Sequence, residues 1–207
     1  MVDTQVRPSD VTKYPIIKAM LSVPRETYVR GEQREVAYAG SCIDLGNGRA
    51  ILEPRTFAKM LDAIDIAPDE LVLDVGCGLG YSSAVIACLA EAVVALESDA
   101  DMAGEAERIL GENGADNVAV ITGHLSAGAA KHGPYDAIII EGAVEIIADQ
   151  LVGQLKDGGR IAAIFRRGNL GNCRIGHKSD GQLFWKTAFD ANAPVLKEFE
   201  KTREFEL

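Results

Sequence analysis

The chain has 207 residues, 47% of them hydrophobic, with a formal net charge of −10. That length and apolar content suit one folded domain with a sizeable core, and the acidity argues against tight binding to nucleic-acid phosphates. No apolar run approaches the roughly 18 residues of a membrane span, and the polar start MVDTQVRPSD lacks a signal-peptide core, so a cytoplasmic location is expected.

A helix is predicted over residues 9–21, with Ser9 as N-cap and Val11, Ile16, Ile17, Met20 and Leu21 on its apolar face. Val23-Pro24-Arg25 ends it. A loop-rich stretch, Gly31 to Gly48, follows, carrying Tyr38, Asp44 and Asn47. The next helix starts near Pro54, a good first-turn residue, with Phe57, Met60, Leu61 and Ile64 on one side. Strands are then predicted at 71–75, 92–97, 118–122, 136–140 and 160–165. Helices are predicted at 81–90, 100–112 and 144–155, with Asn113-Gly114 and Lys156-Asp157-Gly158-Gly159 as stop and turn. Such alternation implies an α/β fold around a mostly parallel sheet, with helices on both faces. Residues 173–178 and 183–189 flank Ser179-Asp180-Gly181 and read as a C-terminal antiparallel hairpin. The expected organisation is a single domain over 1–207. Residues 1–70 form a helical and loop extension that contributes to the acceptor site, and 71–207 form the cofactor-binding core.

The strand at 71–75 runs into Gly76, Gly78 and Gly80, then into a helix opened by Tyr81. Glycines there let a ligand lie on bare backbone at a helix N-terminus. A dinucleotide fingerprint spaces its glycines one, three, six; here the fifth position is Gly80 and the sixth is the bulky Tyr81. Asp74 precedes the glycines, and the second strand ends in Glu97, placed to accept both hydroxyls of a ribose. This pattern resembles the S-adenosyl-L-methionine site of Rossmann-like methyltransferases, in which the acid before the glycines faces the charged amino-acid end of the cofactor.

Further segments resemble the protein-L-isoaspartate O-methyltransferase family. They are Val23-Pro24-Arg25-Glu26-Thr27-Tyr28-Val29, Ala50-Ile51-Leu52-Glu53-Pro54, Tyr135-Asp136-Ala137-Ile138-Ile139 and Gln154-Leu155-Lys156-Asp157-Gly158-Gly159-Arg160. The resemblance implies an enzyme that methylates the free carboxylate of L-isoaspartyl residues in damaged proteins, so the partner is a protein or peptide carboxylate. It implies cofactor contacts at Asp74, Gly76, Cys77, Gly78, Gly80, Tyr81, Glu97 and Ser98. His124 and Leu125 follow, where the family has Gly-Asp-Gly and this chain has Gly123-His124-Leu125. A second departure is Leu52-Glu53, where the family has Ser-Gln and the serine holds the isoaspartyl carboxylate. Loss of that hydroxyl and gain of a charge predict weak or absent isoaspartyl turnover. They keep two other readings open: a methyltransferase with another acceptor, and a cofactor-binding protein without catalysis.

Methyl transfer to a carboxylate needs alignment more than a base, because the acceptor is already ionised at pH 7, with a reference pKa of about 4. The absence of an obvious His–Asp pair is compatible with that chemistry. Candidate catalytic residues are Glu141, at the carboxyl edge of the fourth core strand, and Glu53, before the second helix. Arg166 and Arg167 are more remote candidates for attracting a carboxylate. Cys42, Cys77, Cys88 and Cys173 share no CxxC spacing and the histidines are scattered, so no metal site is expected and free thiols in a reducing compartment are.

Overall fold

The computed structural model describes residues 1–201; residues 202–207, the end of the expected core, lie outside the described residues. Five parallel strands form the centre: β3 (Leu71–Val75), β4 (Ala92–Glu97), β5 (Val118–Thr122), β6 (Tyr135–Val144) and β7 (Leu155–Arg167). Two antiparallel strands, β8 (Leu170–Ser179) and β9 (Gln182–Asp190), extend it, giving the order β5-β4-β3-β6-β7-β8-β9. A separate antiparallel hairpin pairs β1 (Ile43–Gly46) with β2 (Arg49–Ile51).

The period-two alternation of the central strands divides the core. Val72, Val93, Ala137, Ile139, Ala162 and Ile164 face one cluster, which four helices cover: α1 (Tyr14–Ser22), α2 (Pro54–Ile64), α3 (Tyr81–Ala87) and α4 (Ala100–Glu112). Leu73, Val75, Val94, Leu96, Ile138 and Ile140 face the other, covered by Leu125, by Leu151 of the single-turn α5 (Asp149–Val152), and by Leu196 and Phe199. One face is therefore roofed by long helices and the other by short turns and the segment after β9.

Several predicted elements shift for identifiable reasons. The first helix starts at Tyr14, not at residue 9, because Pro15 belongs in a first turn and would break a helix interior. Ser9 closes a short 3₁₀ turn by donating to the Gln5 carbonyl at 2.7 Å, and Leu21 is exposed. The stretch from Gly31 to Gly48 is not mere loop: it holds a 3₁₀ helix over Gly31–Val36 and the β1–β2 hairpin. Gly46, Asn47 and Gly48 turn that hairpin with positive φ values of 84°, 51° and 74°.

The predicted helix 144–155 shrinks to Asp149–Val152 because β6 runs on to Val144. Residues remote in sequence capture its end. Ala143 bridges Val195 in parallel, and the Glu145 and Ile146 N–H groups donate to the Phe199 carbonyl. No described helix is long and apolar enough to cross a membrane.

Candidate functional site

Asp74, the last-but-one residue of β3, is fully buried. The Ser82 and Ser83 hydroxyls in the first turn of α3 donate to its Oδ2 at 2.7 and 2.5 Å. Burial lifts its pKa from 3.8 to about 6; the two serines oppose the rise and Glu97 adds to it. Glu141 stands where β6 has passed its last pair with β3, Val75 with Ile140, and where its own register with β7 is irregular, between Ile139 and Ala143. Such a bulge re-aims a side chain. The Glu141 carboxyl is buried, and burial, reinforced by Asp74, pushes its pKa well above the ordinary range, with Arg25 pulling it back.

Tyr81 opens α3 and packs against Tyr28 and Phe57, each with ring centroids 5.9 Å away. The Arg25 guanidinium lies over its ring, 4.7 Å from the centroid. Arg25 is fully buried. Its Nε donates to the Ala37 carbonyl and its Nη2 to the Leu52 carbonyl, both at 2.7 Å. Burial lowers its pKa; Tyr81 and, more weakly, Glu141 oppose that.

Asp74 Oδ1 and Glu141 Oε1 are buried with no hydrogen-bond partner among the described residues; Tyr81 OH and Arg25 Nη1 are buried with no well-formed one, although the guanidinium lies close enough to the phenol to hold its pKa down against burial. A buried polar group left unpaired costs about 1–3 kcal/mol, so a cluster of them calls for a ligand. Two carboxylates suit a cation, and a guanidinium with a phenol suits an anion. Together they fit a zwitterionic amino-acid end, the charged end of S-adenosylmethionine.

The other end of the candidate cleft is built differently. Glu97, at the end of β4, is fully buried. Its two oxygens accept from Arg49 Nε at 3.0 and 3.1 Å, and backbone N–H groups of Gly78, Ser98 and Asp99 donate to them at 2.9, 2.7 and 3.1 Å. Arg49 Nη2 also donates to Ser98 Oγ at 2.7 Å. His124 is exposed and pairs through Nδ1 with Glu198 at 2.8 Å, while the buried Leu125 donates its N–H to the same carboxylate. The expected ribose and adenine residues are brought together, but their polar atoms are engaged by the chain itself.

Gly76, Gly78 and Gly80 have φ values of 81°, 56° and 94°, so the turn itself requires glycine. Cys77, between them, is buried, and burial pushes its thiol pKa well up. Glu53 sits at the start of α2, where its carboxylate accepts from Thr56 Oγ1 at 2.6 Å. Leu52 lies in the apolar core at 1% exposure. Arg166 is half-buried and Arg167 exposed at the end of β7, and Arg166 donates to the Gly168 carbonyl at 3.0 Å. Arg25 stands in one of the resembling segments with no role attached to it there, and Ser82, Ser83, Arg49 and Glu198 lie outside every motif of the sequence. The serines were findable as hydroxyls in the first turn after a buried acid. Arg49 and Glu198 carry no local signal.

A family profile described as Protein-L-isoaspartate(D-aspartate) O-methyltransferase (PCMT) matches residues 2–190. The chain is 35% identical over 183 residues to the protein-L-isoaspartate O-methyltransferase of Koribacter versatilis, covering 88% of this chain and 82% of that one. It is 37% identical over 161 residues to that of Syntrophus aciditrophicus, covering 78% and 74%. A protein-L-isoaspartate O-methyltransferase structure superposes with a TM-score of 0.82 at 22% identity, covering 92% of this chain and 63% of that longer one. Another such structure, from Plasmodium falciparum in complex with S-adenosyl-L-homocysteine, superposes at 0.80 and 20% identity over 93% and 94%. Both share the Rossmann-like methyltransferase fold, and none of these matches favours another acceptor or a non-catalytic role. The chain belongs to the protein-L-isoaspartate O-methyltransferase family of S-adenosylmethionine-dependent methyltransferases.

Proposed function

We propose that this protein transfers a methyl group from S-adenosylmethionine to the free carboxylate of L-isoaspartyl residues in proteins or peptides. The family match carries the acceptor, and the observation that carries the cofactor is the cluster of buried polar atoms on Asp74, Glu141, Tyr81 and Arg25. Asp74 and Glu141 would hold the ammonium of the cofactor's amino-acid end, and Arg25 Nη1 with Tyr81 OH its carboxylate. When bound, the cofactor supplies an electrophilic methyl on a sulfonium. The chain's own part is to align and to exclude water, since an ionised carboxylate acceptor needs no base. The packing of Tyr81 between Tyr28, Phe57 and Arg25 fixes one wall rigidly. Residues 1–70 would form the acceptor side, and they also supply Arg25 to the cofactor end. A net charge of −10 supports a protein acceptor over nucleic acid, and four free cysteines support a reducing cytoplasm.

The direct test is label transfer from methyl-labelled cofactor to an isoaspartyl peptide, with its aspartyl isomer as control. Label on the isoaspartyl peptide alone supports the reading, and no transfer to it overturns the reading.

Leu52 bears on turnover and on stability at once. Leu52→Ser with Glu53→Gln is expected to raise isoaspartyl transfer by supplying a hydroxyl and removing a charge. Because Leu52 is core, at 1% exposure, the pair should also cost about 2–4 kcal/mol of stability. Parallel transfer assays and urea melts check both arms.

A further inference from the structure

We infer that the adenosine half of the cofactor cleft is closed in the free protein by an intramolecular latch, made of Arg49 from the β1–β2 hairpin and Glu198 from the C-terminal segment, which the ligand must displace. The inference rests on the cofactor reading above and adds a gate to it.

A carboxylate that takes both ribose hydroxyls must be free to accept two donors. Glu97 is not free. Arg49 Nε already donates to both of its oxygens, at 3.0 and 3.1 Å. The guanidinium thus supplies the donors that a ribose diol would bring. Arg49 is held from behind by Glu198, at 3.6 Å. The second oxygen of Glu198 reaches His124 Nδ1 at 2.8 Å and the Leu125 N–H, so one carboxylate ties the hairpin to the loop after β5.

Two leucines complete the closure. A Cβ at Gly78 would lie 2.7 Å from Leu45 Cδ1, and a Cβ at Gly142 would lie 2.6 Å from Leu196 Cγ. Leu196 also covers Gly76, whose Cβ would stand 3.4 Å from its Cδ1. The bare backbone on which a ligand would lie is therefore covered by side chains of this same chain.

Packing as well as hydrogen bonds holds the coverings, since Leu45 is 2% exposed and Leu196 and Phe199 1% each. The hairpin tip is pinned by Asn47 Nδ2, which donates to Asp99 Oδ2 at 2.6 Å. The segment from Pro194 to Phe199 has no extended strand of its own. Backbone bonds hold it: Ala143 N–H to the Pro194 carbonyl at 2.8 Å, Leu196 N–H to the Ala143 carbonyl at 2.9 Å, and Glu145 N–H to the Phe199 carbonyl at 2.9 Å. Opening of this segment uncovers the apolar Leu196 and Phe199 side chains, so the open form is a minor population. Opening returns the Arg49 and Glu198 charges to water and leaves the buried Glu97 with the Gly78, Ser98 and Asp99 N–H donors alone until the ribose hydroxyls arrive.

The test compares the full-length protein with Arg49→Met and Glu198→Gln. S-adenosylhomocysteine affinity is read by calorimetry, and amide exchange at Leu125 and Leu196 by mass spectrometry without ligand. If the open form is a minor fraction, affinity is reduced by that fraction, and raising the fraction to near one should tighten binding at least about tenfold. Both variants are expected to exchange faster at Leu125 and Leu196 and to bind more tightly than the natural chain. Arg49→Met strands the Glu97 carboxylate in a buried site, so Glu198→Gln, a near-isosteric change at a side chain 15% exposed, carries the test if the first variant does not fold. Faster exchange with unchanged or weaker affinity would overturn the latch while leaving the cofactor reading intact. Absence of binding in all three proteins would overturn both.

Discussion

Glu97→Ala is expected to destabilise the fold by about 3–5 kcal/mol, because removing one member of a buried ion pair leaves the other charge uncompensated. The group left behind is Arg49, whose side chain is only 6% exposed and keeps Glu198, at 3.6 Å, as its remaining counter-charge. The N–H groups of Gly78, Ser98 and Asp99 lose their acceptor in the same step. Glu97→Gln keeps an acceptor and loses the charge, so it should fall between the natural chain and the alanine variant. Urea unfolding of the three proteins measures this, and a shift below about 1 kcal/mol for Glu97→Ala would show that the network relaxes without it. The consequence for function is practical. A binding deficit in Glu97→Ala says nothing about ribose recognition until the variant is shown to be folded, whereas Glu97→Gln tests recognition on an intact scaffold.

Asp74→Asn should move stability the other way. The folded-state pKa of Asp74 is raised from 3.8 to about 6, with burial the main cause. Between those two values the folded chain keeps a proton that the unfolded chain releases. Stability from this group is therefore fully present below pH 3.8 and is lost as pH rises through 6. At pH 8 the natural protein carries a buried carboxylate whose cost is of order 2–3 kcal/mol. Asparagine keeps an oxygen for the Ser82 and Ser83 hydroxyls and removes the charge, so the variant should be more stable than the natural chain at pH 8, and the gap should close on acidification to pH 4. Denaturant melts at several pH values read the gap directly. A gap that widened toward low pH would contradict the sign. The same change removes one of the two carboxylates proposed to hold the cofactor's ammonium, so the stabilised variant should bind S-adenosylhomocysteine more weakly, a trade of function against stability.

The parts of the fold that were legible in the sequence are those fixed by neighbours in the chain. The strands 71–75, 92–97 and 118–122 and the helix 100–112 have the bounds expected from short apolar runs and from the Asn113-Gly114 stop. The C-terminal hairpin turns at Asp180-Gly181 as its composition predicts. Elements decided by remote partners were not legible. The strand continuation to Val144 depends on Val195 and Phe199, and no periodicity in residues 144–155 encodes that. The β1–β2 hairpin was legible in principle, since Asn47-Gly48 is a strong turn signal, but short strands beside 3₁₀ turns obscured it.

The site divides in the same way. Asp74, Tyr81, the glycines and Glu97 announce themselves through spacing around one strand–turn–helix unit. Arg25, Arg49 and Glu198 reach the cleft from the two ends of the chain, and only the fold reveals that a guanidinium and a carboxylate meet there. Glu53 has the ambiguity of any acid before a helix. Its bond to Thr56 Oγ1 accounts for its presence at the start of α2 without assigning it chemistry.

The central claim is that the Asp74–Glu141–Tyr81–Arg25 cluster receives the amino-acid end of an S-adenosyl cofactor. Calorimetric titration of the natural protein and Asp74→Asn with S-adenosylhomocysteine, NAD and 5′-methylthioadenosine, which keeps the adenosine but lacks the amino-acid end, tests it most directly. The expected result is saturable heat from S-adenosylhomocysteine, none from NAD, and an affinity loss in Asp74→Asn that is large for S-adenosylhomocysteine and absent for 5′-methylthioadenosine. Equal affinity of the two proteins for S-adenosylhomocysteine, or binding of NAD in its place, would contradict it.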